Sequence, residues 1–124
     1  VIGYQILDEV YVCGVDTGFA KSYQYQNGID GKYTKTSETL WTNSDGTAVI
    51  VDLGYGGMEG CYATNGVADL DCYPYHRWGK ISYSLTQPES DIYHWDGHSY
   101  GSIQFTECYR GIFREPNIFL IGSF

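Results

Sequence analysis

An α+β fold, one α-helix packed on a twisted antiparallel β-sheet and stapled by disulfides, is predicted by three observations. The 124 residues carry 13 Tyr and 16 Gly against one Met. Tyr suits a pleated, half-buried surface and Gly supplies turns, so the composition leans towards β. One segment has the grammar of a helix: Asp16 or Thr17 can cap it, 19–26 places Phe19 and Tyr23 four apart on one face, and Asn27-Gly28 supplies a left-handed stop. The remaining apolar runs are short and separated by turn dipeptides. The length fits one domain over 1–124, with no repeat or linker.

Taken in order, 4–13 reads as an entry strand anchored by Ile6, Val10 and Val12. After the helix, Ile29-Asp30-Gly31 turns the chain into 32–41, whose Thr, Tyr and Trp content favours an extended conformation. Asn43-Ser44-Asp45-Gly46 is a hairpin turn leading into a strand over 47–55, where Ala48-Val49-Ile50-Val51 has the apolar continuity of a central strand. Gly54, Gly56 and Gly57 end it, and the Gly/Asn/Asp-rich stretch 62–71 reads as a surface loop. A strand over 73–85 stops at Gln87-Pro88-Glu89-Ser90, and 92–95 pairs with 100–109 across Asp96-Gly97-His98. The tail, 111–124, is expected to add a last edge strand.

Seven Lys and Arg face fifteen Asp and Glu, a formal charge of −8. Such a surface repels polyanions, because non-specific nucleic-acid affinity comes from neutralising phosphates. Basic patches could form only from Lys32 with Lys35, Arg77 with Lys80, Arg110 with Arg114, or combinations of these. Apolar runs such as 48–51 and 118–121 are far too short to span a bilayer, and no membrane association is expected. The chain opens on Val1 rather than Met with no signal-peptide pattern, and a mature or trimmed chain is expected. Four Cys allow three pairings, and zinc is the rival reading. Cys61 and Cys72 are too far apart for a Cys-x2-Cys clip, and His94 with His98 is the one His pair at ligand spacing. Two disulfides, an oxidising secretory route and no metal or cofactor are therefore expected.

Tyr11-Val12-Cys13 near the start, a helix directly after it and Cys108 near the end together resemble one family. A helix against a twisted antiparallel sheet is similar to the small guanine-specific fungal ribonucleases. Tyr11-Val12-Cys13 resembles the aromatic-x-Cys motif of the ribonuclease-like effectors of cereal powdery mildew fungi (the RALPH group). The resemblance implies a ribonuclease-like scaffold whose first and last strands are neighbours, hence a Cys13–Cys108 bridge closing a loop of roughly 95 residues. Cys61–Cys72 then closes the short turn-rich loop.

Cleaving RNA by 2′-hydroxyl attack needs a base, an acid and a cation for the phosphorane charge. Where the ribonucleases carry Tyr-x-His, this chain has Tyr33-Thr34-Lys35, and Lys35 is a poor base unless strongly desolvated. The 47–53 strand offers Asp52 but no inward Glu. The family's catalytic set does not carry over residue by residue, so no catalytic residue is assigned and a pseudoenzyme is expected. His76 beside Arg77 could be a remodelled active-site strand or ordinary sheet packing. His94 and His98 could meet at a hairpin tip or be incidental to a solvated turn. Gly54-Tyr55-Gly56-Gly57 lacks the Lys-Ser/Thr and the helix of a phosphate loop.

The expected function is that of a secreted fungal virulence (avirulence) effector, a monomer translocated into the host cell. It would bind host plant proteins and be open to recognition by an intracellular immune receptor. The candidate contact residues are Tyr73, Tyr75, Arg77 and Trp78, with Tyr93 and Trp95 on a neighbouring strand, because aromatic and Arg side chains dominate interface energetics. Alternation puts Tyr73, Tyr75 and Arg77 on one face and His76 and Trp78 on the other. The alternatives are an RNA-binding or active ribonuclease using Arg77 with His76, His94 or His98, and a β-rich toxin or lectin-like domain with an aromatic surface.

Overall fold

Val10 and Val12 are fully buried, while Glu9 is exposed and Tyr11 and Cys13 are only partly covered. That period-two alternation makes Glu9–Cys13 a strand, β1, with one face inward. The computed structural model describes residues 8–16, 28–54, 57–72, 76–82, 89–94 and 97–108. Eight further strands follow: β2 (Gly31–Ser37), β3 (Leu40–Asn43), β4 (Ala48–Asp52), β5 (Gly57–Thr64), β6 (Val67–Ala68), β7 (Arg77–Ser82), β8 (Glu89–Tyr93) and β9 (Ser99–Gln104). Every pairing between them is antiparallel.

The strands run β4-β3-β2-β1-β9-β8-β7-β5, and β4 also pairs with β5, so these eight form a closed barrel. The two-residue β6 is a flap on β5. An open sheet offers a face for a helix to cover. A ring turns that face inward and fills it with its own side chains. The expected α+β class, one helix on a ribonuclease-like sheet, is thereby overturned. Among the described residues helical geometry is limited to short 3-10 turns, Asp69–Cys72 and at His76, with no α-helix. The predicted helix, 19–26, and the predicted tail strand, 111–124, lie outside the described residues.

The core is aromatic and β-branched: Tyr33, Trp41, Trp78 and Tyr100 pack among Val10, Val12, Val15, Ile29, Ile50, Ile92 and Ile103. Tyr33 and Trp78 stack at a tilt, centroids 6.2 Å apart. Two glycines make room for this bulk. A Cβ at Gly60 would overlap the Trp78 indole, and one at Gly79 would overlap the Tyr100 hydroxyl and Ile92. These glycines face each other across β5 and β7, next to an irregularity in register between Gly60 and Cys61. Small residues and a bulge at one point let a sheet bend towards closure.

Several predicted turns are present. β3 and β4 form the hairpin expected around 43–46, and Asn43 organises it. Its Oδ1 accepts from the Thr47 and Ala48 N–H groups at 3.0 and 3.2 Å, and its Nδ2 donates to Gly28 O at 3.3 Å. β8 and β9 pair from Glu89↔Gln104 to Tyr93↔Ser99, so the expected pairing is present, but β8 starts at Glu89, inside the break expected at 87–90, and β9 ends at Gln104 rather than 109. The extended run 32–41 is instead two strands, folded at Glu38-Thr39. β5 itself, expected to be a glycine-terminated end followed by loop, is a full strand of the ring, paired with both β4 and β7.

Asp16, proposed as a helix cap, does other work. Its carboxylate accepts from the N–H groups of Ile29 and Asp30 at 3.0 and 3.2 Å. Asp30 in return accepts from Gly14, Val15 and Asp16 at 3.2, 2.8 and 3.4 Å. Both expected disulfides are present: Cys13–Cys108, with Cα atoms 5.8 Å apart, and Cys61–Cys72, at 5.5 Å. They fit an oxidising, secretory route. No described helix is long and apolar enough to cross a membrane.

Candidate functional site

Along β5, Met58 faces the core, so its neighbours Glu59 and Cys61 lie on the outer face. Cys61 is opposite Val49 of β4, and both are fully buried despite facing outward. The Cys61–Cys72 bridge holds the Asp69–Cys72 turn against this part of the barrel. Beside it, the Arg77 guanidinium donates from Nη1 to Glu59 Oε2 in a tight ion pair, with side chains 25% and 11% exposed. Trp78, on the inner face, donates from Nε1 to the Cys61 carbonyl at 3.0 Å. Backbone, bridge and ion pair thus fix one compact outer patch.

The chain between the bridged cysteines projects from that patch. Asn65 and Gly66 both have positive φ, +53° and +81°, as the tight two-residue turn linking β5 to β6 requires. The Gly66 N–H donates to Gly46 O at 2.8 Å, docking this turn on the 43–46 turn. Thr64 Oγ1 and Asp69 Oδ1 are hydrogen-bonded at 3.0 Å. Leu70, Asp71 and Cys72 then take three consecutive left-handed conformations, with φ of +45°, +55° and +61°. Val67 is 66% exposed and Leu70 is 62% exposed. Sequence reasoning marked 62–71 as a surface loop but did not single out these two side chains. Their signal was two apolar residues set among Asn, Gly and Asp.

The sequence-predicted contact residues are scattered. Arg77 is engaged with Glu59. Trp78 is a core residue with no exposed surface, so it can offer nothing to a partner. Tyr93 is half-buried, its hydroxyl 3.4 Å from Asp91 Oδ2. Tyr73, Tyr75 and Trp95 lie outside the described residues. Of the histidines, His94 is buried with its ring edge-on to Tyr100 at 6.4 Å, whereas His98 is exposed. The hairpin joins their backbones, His94 N–H donating to His98 O at 2.8 Å, but sends the two rings into different environments. Lys35 holds its ammonium 5.4 Å from the centroid of the Trp41 ring.

Burial pushes the Tyr100 phenol well above its ordinary range, with nearby Tyr62 adding to the shift. Tyr33 is likewise raised, by burial first and then by the charges of Asp16 and Asp30, and its hydroxyl donates to Ile29 O at 2.7 Å. Both phenols therefore stay neutral inside the barrel. Glu59, Cys61 and Cys72 bring ligand-type atoms within 4.8 Å of one another. The two sulfurs are bonded to each other and the carboxylate to Arg77, so the donors a cation would use are already committed. Comparison of this chain with known protein families, with curated proteins and with solved structures finds no match in any of the three.

Proposed function

We propose that this chain is a secreted binding protein that engages a partner protein through its outer surface and does not hydrolyse RNA. The observation that carries the reading is the packed interior. Eight-stranded barrels are just wide enough to be filled by side chains or to hold one small ligand. Here Tyr33, Trp41, Trp78 and Tyr100 occupy that space, with glycines where a Cβ would not fit. Recognition then falls to loops and outer faces, which tolerate change where a closed core does not. The charge of −8 favours protein partners over polyanions, and Arg77, the cation a ribonuclease site would recruit, is tied to Glu59.

The finer role expected from the resemblance belongs to this proposal: a fungal virulence effector that reaches the host cell, binds host plant proteins and is open to an intracellular immune receptor. Its support is Tyr11-Val12-Cys13 with the Cys13–Cys108 bridge, and it no longer rests on a ribonuclease scaffold. The test has two arms. Affinity capture from plant extract should yield a protein that binds the purified chain directly in calorimetry, while single-stranded RNA should not be turned over. RNA cleavage abolished by replacing His76, His94 or His98 with Ala would sink the reading, as would capture that yields no direct binder.

A further inference from the structure

We propose that the segment 64–72 is the docking element of this protein, and that it inserts Val67 and Leu70 into an apolar cleft rimmed by Lys or Arg on the partner. This rests on the binding function proposed above and names the surface and the partner chemistry. Among the described residues the exposed large apolar side chains are Leu53, Val67 and Leu70, at 38%, 66% and 62%. Single exposed apolar residues are ordinary. Two of the most exposed lie three positions apart on one clamped loop.

The clamp gives the exposure meaning. Left-handed backbone is strained for a non-glycine residue, and here Leu70, Asp71 and Cys72 adopt it in succession. A free loop would relax out of that shape. This one is held by the Cys61–Cys72 bridge, by Thr64–Asp69 and by the pairing of Ala63 with Ala68. A loop fixed in advance loses little entropy on binding, which is how a small apolar contact becomes a useful one.

Charge selects the partner. From position 36 to 76 the chain contains no Lys or Arg. Asp69 and Asp71 flank Leu70, and the docked 43–46 turn adds exposed Asp45 alongside. An apolar tip in an acidic surround complements a basic rim and repels a second copy of this chain, which carries the same −8.

The disulfide-intact full chain would be immobilised and used to select from a phage-displayed random-peptide library, with enriched peptides synthesised for calorimetry. The expected peptides combine aliphatic or aromatic residues with Lys or Arg. Their affinity should fall at least tenfold for Val67→Ser/Leu70→Ser at an unchanged melting temperature. Asp69→Asn/Asp71→Asn should weaken binding several-fold and remove most of its salt dependence. If the serine pair lowers the melting temperature, the milder Val67→Thr is read in its place. No enrichment, a neutral or acidic consensus, or equal affinity for the serine variant each overturns the inference. A captured plant protein that binds wild type and serine variant equally would overturn the loop assignment and leave the binding function standing. Capture without any direct binder would overturn the function itself.

Discussion

Asp16 and Asp30 each bind the other's backbone: Asp16 accepts from the Asp30 N–H at 3.2 Å, and Asp30 accepts from the Asp16 N–H at 3.4 Å. The exchange joins the chain just after β1 to the chain just before β2. It also brings two carboxylates together. Burial first, and then the charge of Asp16, hold the Asp30 carboxyl above its ordinary 3.8, against the pull of its backbone N–H partners.

A group whose folded pKa is raised binds its proton more tightly in the native state, so its contribution to stability grows as pH falls and is lost as pH rises through the folded value. Wild type should therefore gain stability relative to Asp30→Asn as pH is lowered from about 7 towards about 4. Melting temperatures of the two proteins across that range give the answer. Parallel curves would mean that Asp30 ionises as freely as in the unfolded chain.

Gly60→Ala should be among the most damaging single-methyl changes in the molecule, because the new Cβ meets the Trp78 indole inside the barrel. Overpacking of this kind costs about 1–3 kcal/mol. Gly57→Ala is the control on the same strand, since its Cβ would lie 3.9 Å from Leu53 Cδ1, an ordinary contact. Denaturant titration should separate the two variants; equal stabilities would mean that Trp78 can move aside.

Removing Cys13–Cys108 by paired Ala substitution should cost more than removing Cys61–Cys72. The bridges span 95 and 11 residues, and loop-closure entropy alone separates them by about 2 kcal/mol. Release of the left-handed Leu70 and Asp71 should offset part of the smaller loss. Urea midpoints of the two double variants test the order, and a larger loss from Cys61–Cys72 would reverse it.

Arg77→Ala should destabilise by about 3–5 kcal/mol, since it leaves the Glu59 carboxylate buried without its partner. Arg77→Met with Glu59→Leu should recover most of that loss. Loss of binding in Arg77→Ala alone would therefore say nothing about an interface. The double variant separates the roles: retained fold with retained binding would place Arg77 in the scaffold, and retained fold with lost binding would restore it as a contact.

Local patterns were legible in the sequence and closure was not. Val10 and Val12 alternate with Glu9 and Tyr11, so β1 could be read from four residues. Asn43-Ser44-Asp45-Gly46 carries its own turn chemistry. β5 could not be read this way. Gly57 and Gly60 resemble loop residues until Trp78, far along the chain, is seen to occupy the space where a Cβ at Gly60 would be. Glu38-Thr39 has no Gly or Asn to announce its reversal. The same limit governed the site. Alternation correctly separated Arg77 from Trp78, but the tie between Arg77 and Glu59 depends on the register of β5 against β7. Val67 and Leu70 were visible as apolar residues in a polar loop; the backbone that fixes them was not.

Seven of the eight pairings in the ring join strands that follow one another along the chain, apart from the small β6 flap between β5 and β7. The eighth, β1 with β9, joins residues near position 12 to residues near position 103. The meander can zip from neighbour to neighbour at low loop-closure cost, while the last junction waits for the whole circuit. Cys13, opposite Ser102 in that junction, is bonded to Cys108. Oxidation therefore bolts the slowest contact in the molecule, and the reduced chain is expected to complete its hairpins quickly but close its ring late and open it first.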